Sequence, residues 1–224
     1  MKTVAFVPIK LNSERLPGKN IKRFRSGQPL IYYVLETLKK VDDLDGIYVY
    51  CSSDEIKDYL PTGVNFIKRD EYYDLSTTSF NEVLISFCKL IDADTYLLAH
   101  ATAPFISKES FEKAIKAVNE KGYDSAFSVS ILQEFLWKDN KPFNYDLKNI
   151  PRTQDLEKLY VETCGMYVFK KDLIISQKRR IGDNCCPIVV DKIEACDINT
   201  REDFIIADAI NSFFRTENEG IGEK

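Results

Sequence analysis

Apolar residues recur along this chain in two rhythms, and their alternation predicts the fold. Short apolar runs, most of them rich in β-branched and aromatic residues, fall at 3–8, 46–51, 64–67, 94–99 and 124–130. Between them the spacing becomes helical. Pro29 opens a helix near 29–41, where its fixed φ suits a first helical turn. A short helix is predicted near 53–60. A helix at 79–91 sets Val83, Phe87, Leu90 and Ile91 on one side, and one at 108–121 places Phe111, Ala114, Ile115 and Val118 at helical spacing behind Ser107 as N-cap. Strands separated by helices predict an α/β fold whose mostly parallel central sheet carries helices on both faces. In such sheets ligands bind at the carboxyl ends of the strands.

The rhythm breaks after residue 130. The stretch LQEFLWKDNKPFNYDLKNIPRTQDLEKL, 132–159, holds the only tryptophan, two prolines and several turn formers. It reads as an excursion out of the sheet. Trp137, Phe135, Phe143 and Tyr145 would be poorly buried on a projection from a monomer, which points either to a dimerisation arm or to a satellite cluster within one chain. Strands resume at 160–169 and around 187–198. A last helix, 201–214, begins behind Thr200 with Asp203 three residues on, an approximate capping box. The tail RTENEGIGEK is expected to fray. The whole is read as one domain, 1–224, with a protruding segment at about 132–159.

Composition narrows the class. The chain is 44% hydrophobic and 29% charged with a net charge of −4, as expected for a globular protein that is not a general nucleic-acid binder. No run approaches the roughly 18 apolar residues of a membrane span. The start, TVAFV, lacks the basic-then-apolar pattern of an export signal. Of the six cysteines, Cys51, Cys88, Cys164 and Cys196 lie in apolar patterns. No CxxC occurs and His100 is the only histidine, so a zinc site is not expected. The expectation is a reduced, cytoplasmic protein.

One stretch concentrates the chemistry. PIKLNSERLPGKN, 8–20, follows the first predicted strand, at the end where a ligand would sit. From there to Pro29, Lys10, Arg15, Lys19, Lys22, Arg23 and Arg25 face one acidic residue, Glu14. Such a concentration in an acidic chain suggests an anion, with phosphate the commonest candidate; a solvated basic loop is the plainer alternative. Leu16-Pro17-Gly18 would set a turn that converges backbone N–H groups and Lys19 on the anion. Neither G-x-x-x-x-G-K-[ST] nor G-x-G-x-x-G is present.

These residues resemble the opening of the acylneuraminate cytidylyltransferase family, with RLPGK also similar to the 3-deoxy-manno-octulosonate cytidylyltransferases. Pro8, Ser13, Pro17, Lys19, Asn20 and GQPLI at 27–31 match the family's first motif. LAHATAPF (98–105), YVETCGMYVF (160–169) and IEACDINTREDF (193–204) resemble later motifs in the same order. The resemblance implies a Rossmann-like nucleotidyltransferase fold with a small dimerisation arm, and transfer of CMP from CTP to an acidic sugar with release of pyrophosphate, for surface glycans. It implies Mg²⁺ as cofactor and a homodimer, with no nucleic-acid or membrane partner. It places nucleotide contacts at Ile9, Lys10, Asn12, Ser13, Arg15, Lys19, Asn20, Arg69 and Ser79, with Arg15, Lys19 and Asp197 as catalytic groups. Acceptor contacts fall at His100, Thr102, Arg152, Gln154 and Glu162, and metal ligands at Asp197, at the end of a late strand, and Asn199.

Each position also has a plainer reading. Asp197 with Thr200 would cap the last helix, Arg69 would lie on the surface, His100 would be structural, and Arg152 would be a solvated loop arginine. The sequence departs from the family pattern at Lys10 for arginine, Glu14 for lysine or threonine, His100 for glutamine, Cys164 for asparagine and Asn199 for aspartate. The nucleotide half is mostly retained and the acceptor half altered. This leaves open a different acidic acceptor, such as a phosphonate, or a catalytically weak nucleotide-binding protein.

Overall fold

The computed structural model describes residues 1–220. In chain order the elements are β1 (Thr3–Ile9), α1 (Leu30–Leu38), β2 (Gly46–Cys51), β3 (Asn65–Lys68), α2 (Phe80–Leu90), β4 (Thr95–Ala99), α3 (Lys108–Asn119) and β5 (Ser125–Leu132). They are followed by β6 (Trp137–Lys138), β7 (Lys141–Pro142), β8 (Leu159–Lys170), α4 (Lys171–Gln177), β9 (Cys185–Val189) and α5 (Arg201–Gly220).

Seven strands form one sheet in the order β3-β2-β1-β4-β8-β5-β9, with β8 antiparallel to both its neighbours and every other pairing parallel. The period-2 alternation of the strands sorts their side chains. Ala5, Val7, Ile9, Leu97, Ala99 and Val168 share one cluster with Val34 and Leu38 of α1 and Phe111 and Ile115 of α3. Val4, Phe6, Leu98, Tyr167 and Phe169 share another with Leu84 and Phe87 of α2 and Leu173 of α4. Phe6 and Phe87 stack at 4.2 Å between centroids. A third, small cluster joins Leu16, Phe24 and Leu30 to Ile198 and Phe204, so the segment after β1 is packed onto the start of α5.

The helix at 79–91 is capped by Ser79 and Glu82 in a reciprocal capping box, and Ser107 caps α3. Several expectations are corrected. Pro29 is the N-cap of α1, with extended backbone at φ −70° and ψ 155°, and the helix ends at Leu38. The 53–60 segment is a 3-10 helix, Asp54–Tyr59. The last strand stops at Val189, because the Asp191 side chain accepts the backbone N–H groups of Ile193 and Glu194 and turns the chain. Asp197 therefore lies in the loop before α5, and not at a strand end. Cys164 is exposed, with φ of 57° at an irregularity where β8 loops out against β5. The short helix α4 and the β6–β7 hairpin carry no prior expectation. Helix α5 continues past 214 to Gly220, and the last four positions of the expected frayed tail, 221–224, lie outside the described residues.

Candidate active site

The segment after β1 is a closed structure. Gly18, at φ +64°, takes the left-handed conformation that glycine adopts without a Cβ penalty, and Lys19 N–H bonds back to the Leu16 carbonyl at 3.1 Å. Asn20 staples the two ends of the segment through its Nδ2, which donates to the Lys10 carbonyl at 2.9 Å.

Lys19 is buried, and its Nζ donates to the Ile198 carbonyl at 2.7 Å. Arg15 Nη2 donates to Asn199 Oδ1 at 2.7 Å, and Asn199 Nδ2 donates to Asp197 Oδ2 at 2.6 Å. The late turn is itself fixed by the predicted box: Asp203 Oδ2 accepts from Asn199 N–H at 2.9 Å and Thr200 N–H at 2.8 Å, while Thr200 Oγ1 accepts from Asp203 N–H at 3.2 Å. Thr102, after β4, gives its carbonyl to Ile198 N–H at 2.8 Å. Burial lowers the Lys19 pKa, while the Asp197 carboxylate opposes that shift. The arrangement holds a cationic pair against one carboxylate at the ligand-binding end of the sheet. In it Asn199 accepts from Arg15 of the basic segment and donates to Asp197, while Thr200 and Asp203 supply the cap.

Two clefts flank this segment. The smaller, about 380 Å³, is lined by Lys10, Ser13, Glu14, Arg15, Leu16 and Lys19. The larger, about 580 Å³, is lined by Leu11, Asn12, Ser52, Ser53, Asp74 and Leu75 among others. Arg69, expected as a nucleotide contact, is a buried brace beside the larger cleft. Its Nη2 donates to the Ile9 carbonyl at 2.6 Å and to Asp74 Oδ1, and Ser52 Oγ donates to the other oxygen of Asp74 at 2.5 Å. Ile9 thus meets the brace through its carbonyl while its side chain is in the core. Ser79 has its hydroxyl engaged with Glu82 in the cap of α2.

The acceptor set divides. His100 follows β4; its Nε2 is sealed from solvent and without a hydrogen-bond partner, although the residue as a whole is only half-buried. Its ring lies 5.5 Å from Phe80 and 6.3 Å from Tyr167. Burial, and secondarily the Arg180 cation, push its pKa down to about 4. Glu162 on β8 accepts from the Tyr167 hydroxyl and pairs with Arg180 Nη2 at 3.4 Å. Arg152 and Gln154 lie apart, on the arm. Arg152 is turned onto Asp155 through two bonds of 2.7 and 3.0 Å, and Gln154 offers its carbonyl to Gln133.

Sequence reasoning missed Ser52, Asp74 and Arg180. Ser52 and Asp74 follow β2 and β3, and the rule that ligands gather at strand ends could have found Ser52. Arg180 had no signal beyond a charged loop, QKRRIG.

A basic cleft of about 380 Å³ beside a larger polar one, at the carboxyl end of a central parallel strand, is the arrangement of a ligand-binding α/β protein. The sequence model of the cytidylyltransferase family matches residues 4–200, and the chain belongs to that family. It is similar to N-acylneuraminate cytidylyltransferase A of Danio rerio, 27% identical over 76% of this chain and 42% of that protein. It is also similar to the pseudaminic acid cytidylyltransferase of Campylobacter jejuni, 26% identical over 92% of this chain and 95% of that one. The chain spans about half the length of several curated relatives, 53% in the case of 3-deoxy-manno-octulosonate cytidylyltransferase 2 of Hydrogenovibrio crunogenus. In fold it resembles the CMP:2-keto-3-deoxy-manno-octonic acid synthetase complexed with CTP, with a TM-score of 0.72 at 15% identity over 95% of this chain and 99% of that one. The fold is the Rossmann-like nucleotidyltransferase fold.

Proposed function

We propose that this protein transfers CMP from CTP to a hydroxyl of an acidic sugar and releases pyrophosphate. The observation that carries the reading is the bonded set Arg15–Asn199–Asp197 with Lys19–Ile198, which fixes two of the cations that line the smaller cleft and ties the Asp197 carboxylate to them through Asn199. In this reading the triphosphate occupies the smaller cleft, held by Arg15, Lys19 and Ser13. The nucleoside occupies the larger cleft, with Asn12 at the boundary between them. The acceptor oxygen forms a bond to the α-phosphorus while the bond from that phosphorus to the bridging oxygen breaks. Pyrophosphate takes the electron pair, and the hydroxyl proton passes to water. Catalysis is mostly positioning and neutralisation of charge on the phosphoryl oxygens.

Mg²⁺ fits the donor set in one limited way. Among the described residues no group of three or more His, Cys, Asp or Glu side chains converges as a metal cage. Mg²⁺ in nucleotide enzymes is held by one or two carboxylates together with substrate phosphates and water, and Asp197 meets that requirement. Asn199 has its carbonyl oxygen engaged by Arg15, so ligation by it requires Arg15 to turn to phosphate. When bound, the ion would neutralise charge on the phosphate oxygens.

His100, neutral above about pH 4, is a weak base and is suited to hydrogen bonding an acceptor. The names of the relatives support a nonulosonic or ketodeoxy sugar acid as acceptor, and a role in surface-glycan synthesis. A homodimer is part of the proposal. Trp137, Phe143, Leu147 and Ile150 stay exposed on the arm even though Phe135 and Trp137 contact Tyr145. No helix among the described residues is long and apolar enough to cross a membrane, in keeping with the proposed cytoplasmic location.

The testing experiment mixes the protein with Mg²⁺, each nucleoside triphosphate and a panel of acidic sugars, and reads pyrophosphate. Release with CTP and at least one acid is expected. CTP binding without release from any acid would favour the second reading, a weak nucleotide-binding protein, for which Glu14 at the cleft and Asn199 in place of a second carboxylate are the motivating observations.

A further inference from the structure

The loop between α4 and β9 is built with more care than a surface connection needs. Lys178 takes the left-handed conformation at φ 55°, and its carbonyl accepts Asn81 Nδ2 at 2.8 Å, which ties the loop to the start of α2. Gly182 N–H bonds Ser125 Oγ at 2.9 Å, and a Cβ at Gly182 would lie 2.2 Å from the Asp124 carboxylate. Asn184 N–H bonds that same carboxylate at 2.9 Å. Between these anchors stand two cations, Arg179, which is paired with Asp183, and Arg180.

Arg180 lies over the Tyr167 ring at 4.0 Å and near Phe80 at 5.4 Å. Its two polar contacts both use Nη2: the Tyr167 hydroxyl at 3.1 Å and Glu162 at 3.4 Å. Nε and Nη1 have no partner among the described residues, although the side chain is only 25% exposed. A guanidinium held against an aromatic ring with part of its donor fork unused is pre-organised for a planar anion. On the same rings lies His100, whose Nε2 is buried and unpartnered. Strand β8 runs antiparallel to β4, so its Glu162 end lies beyond the carboxyl end of β4, where His100 stands. His100 also feels the charges of Arg180, Asp197 and Lys19.

We infer that Arg180 is the residue that recognises the carboxylate of the acidic acceptor, with Tyr167 and Phe80 as its platform. The inference rests on the transferase reading. Glu162 is its resting partner and holds the fork in place until the acceptor anion takes up the free donors. A carboxylate there leaves the rest of the sugar reaching past His100 toward the triphosphate.

The test compares the wild type with Arg180→Gln and Arg180→Lys, using CTP, Mg²⁺, and N-acetylneuraminate and 3-deoxy-manno-octulosonate as acceptors, each also as its methyl ester. Arg180→Gln should raise KM for the acid by at least tenfold and leave KM for CTP within twofold. Arg180→Lys should recover part of the loss. The methyl ester should be as poor a substrate for the wild type as the acid is for the variant, and the variant should not discriminate between them. An unchanged acceptor KM, or equal rises in both KM values, overturns the assignment. Titration calorimetry of each acid onto the CTP-loaded protein separates the two levels. Absence of pyrophosphate from the wild type sinks the transferase reading, whereas acid binding that Arg180→Gln abolishes still supports Arg180. Equal binding by both proteins, or no binding by the wild type, overturns it. Thermal unfolding within about 3 °C of wild type shows that each variant has folded.

Discussion

The basic segment after β1 and the arm at 132–159 both leave the same end of the sheet, yet they are held in opposite ways. In the first, bonds span the chain: Arg15 reaches Asn199 across 184 positions and Lys19 reaches Ile198 across 179. In the arm, bonds stay within the segment, from Arg152 and Asp155, three positions apart, to Gln133 and Leu156, 23 apart. The first has its key lysine buried, and the second leaves Trp137 57% and Phe143 60% exposed. A site whose geometry is fixed by distant parts of the same chain is ready before ligand arrives. A segment bonded only within itself waits for another surface to position it.

The largest expected effect lies in the first region. Lys19→Met keeps the stem and removes the charge, and kcat/KM in the pyrophosphate assay should fall by roughly 10²–10³, about 3–4 kcal/mol. Its stability should change much less. Loss of the bond to Ile198 is offset by relief of the burial that already depresses the ammonium pKa. A variant that unfolds near wild-type temperature and keeps full activity would break the contrast, because Lys19 would then be a structural brace only.

Next comes a pH effect. The folded His100 has its pKa depressed to about 4 by burial, against 6.5 for the unfolded chain, so the folded state resists protonation. Its contribution is fully present above pH 6.5, declines as pH falls through that value, and is exhausted near pH 4. The whole decline amounts to about 3 kcal/mol. Denaturant unfolding at stepped pH should show this loss, and His100→Gln should flatten it. The exposed arm offers no such buried group, so a pH-dependent change confined to arm association would point to a different titrating residue.

How much of this was legible beforehand follows from the same distinction. Strands and helices whose periodicity is local were found within a few residues, because β1, β4 and α3 bury faces that their own spacing defines. The Asp203 cap was legible because the box needs only residues three apart. The turn that ends β9 early was not, because Asp191 acts through its side chain on backbone N–H groups, and an apolar run of IVV gives no notice of that. That Arg15 and Asn199 belong to one site came through matched motifs, since no spacing joins positions so far apart, while the bond between them was not foreseen. Arg69 shows the opposite failure: a charged residue at a strand end reads as exposed, yet the Asp74 carboxylate and the Ile9 carbonyl make its burial tolerable. Arg180 was invisible for a third reason. Its role depends on the rings it covers, and those lie on α2 and β8.

In the arm, Trp137→Ser together with Phe143→Ser should weaken self-association by about 2 kcal/mol or more, as expected when aromatic anchors are lost from an interface. Sedimentation at micromolar concentration would show a shift toward monomer, with the unfolding of the monomer little altered because both side chains are exposed. A wild-type protein that sediments only as monomer would remove the arm's proposed role.

A smaller change should sharpen the first region. Asn199→Asp adds a carboxylate beside Asp197 and retains an oxygen for Arg15, so the Mg²⁺ concentration for half-maximal activity should fall several-fold, about 1 kcal/mol. An unchanged or raised Mg²⁺ requirement would mean that Asn199 only ties Arg15 to Asp197.

The smallest effect separates the two regions most directly. Arg152 is paired with Asp155 on the exposed arm, where solvent screens the pair. Arg152→Ala should therefore leave the unfolding midpoint close to that of wild type. If the arm folds onto a second copy and Arg152 contacts acceptor there, KM for the acid should nevertheless rise, and only at protein concentrations where dimer forms. If the arm is a satellite of its own subunit, the variant should match wild type at every concentration. A rise that is independent of concentration would place Arg152 in its own subunit's acceptor site and end the contrast. A residue tied only to its neighbour three positions on would then serve the ligand as fully as one bonded across the chain.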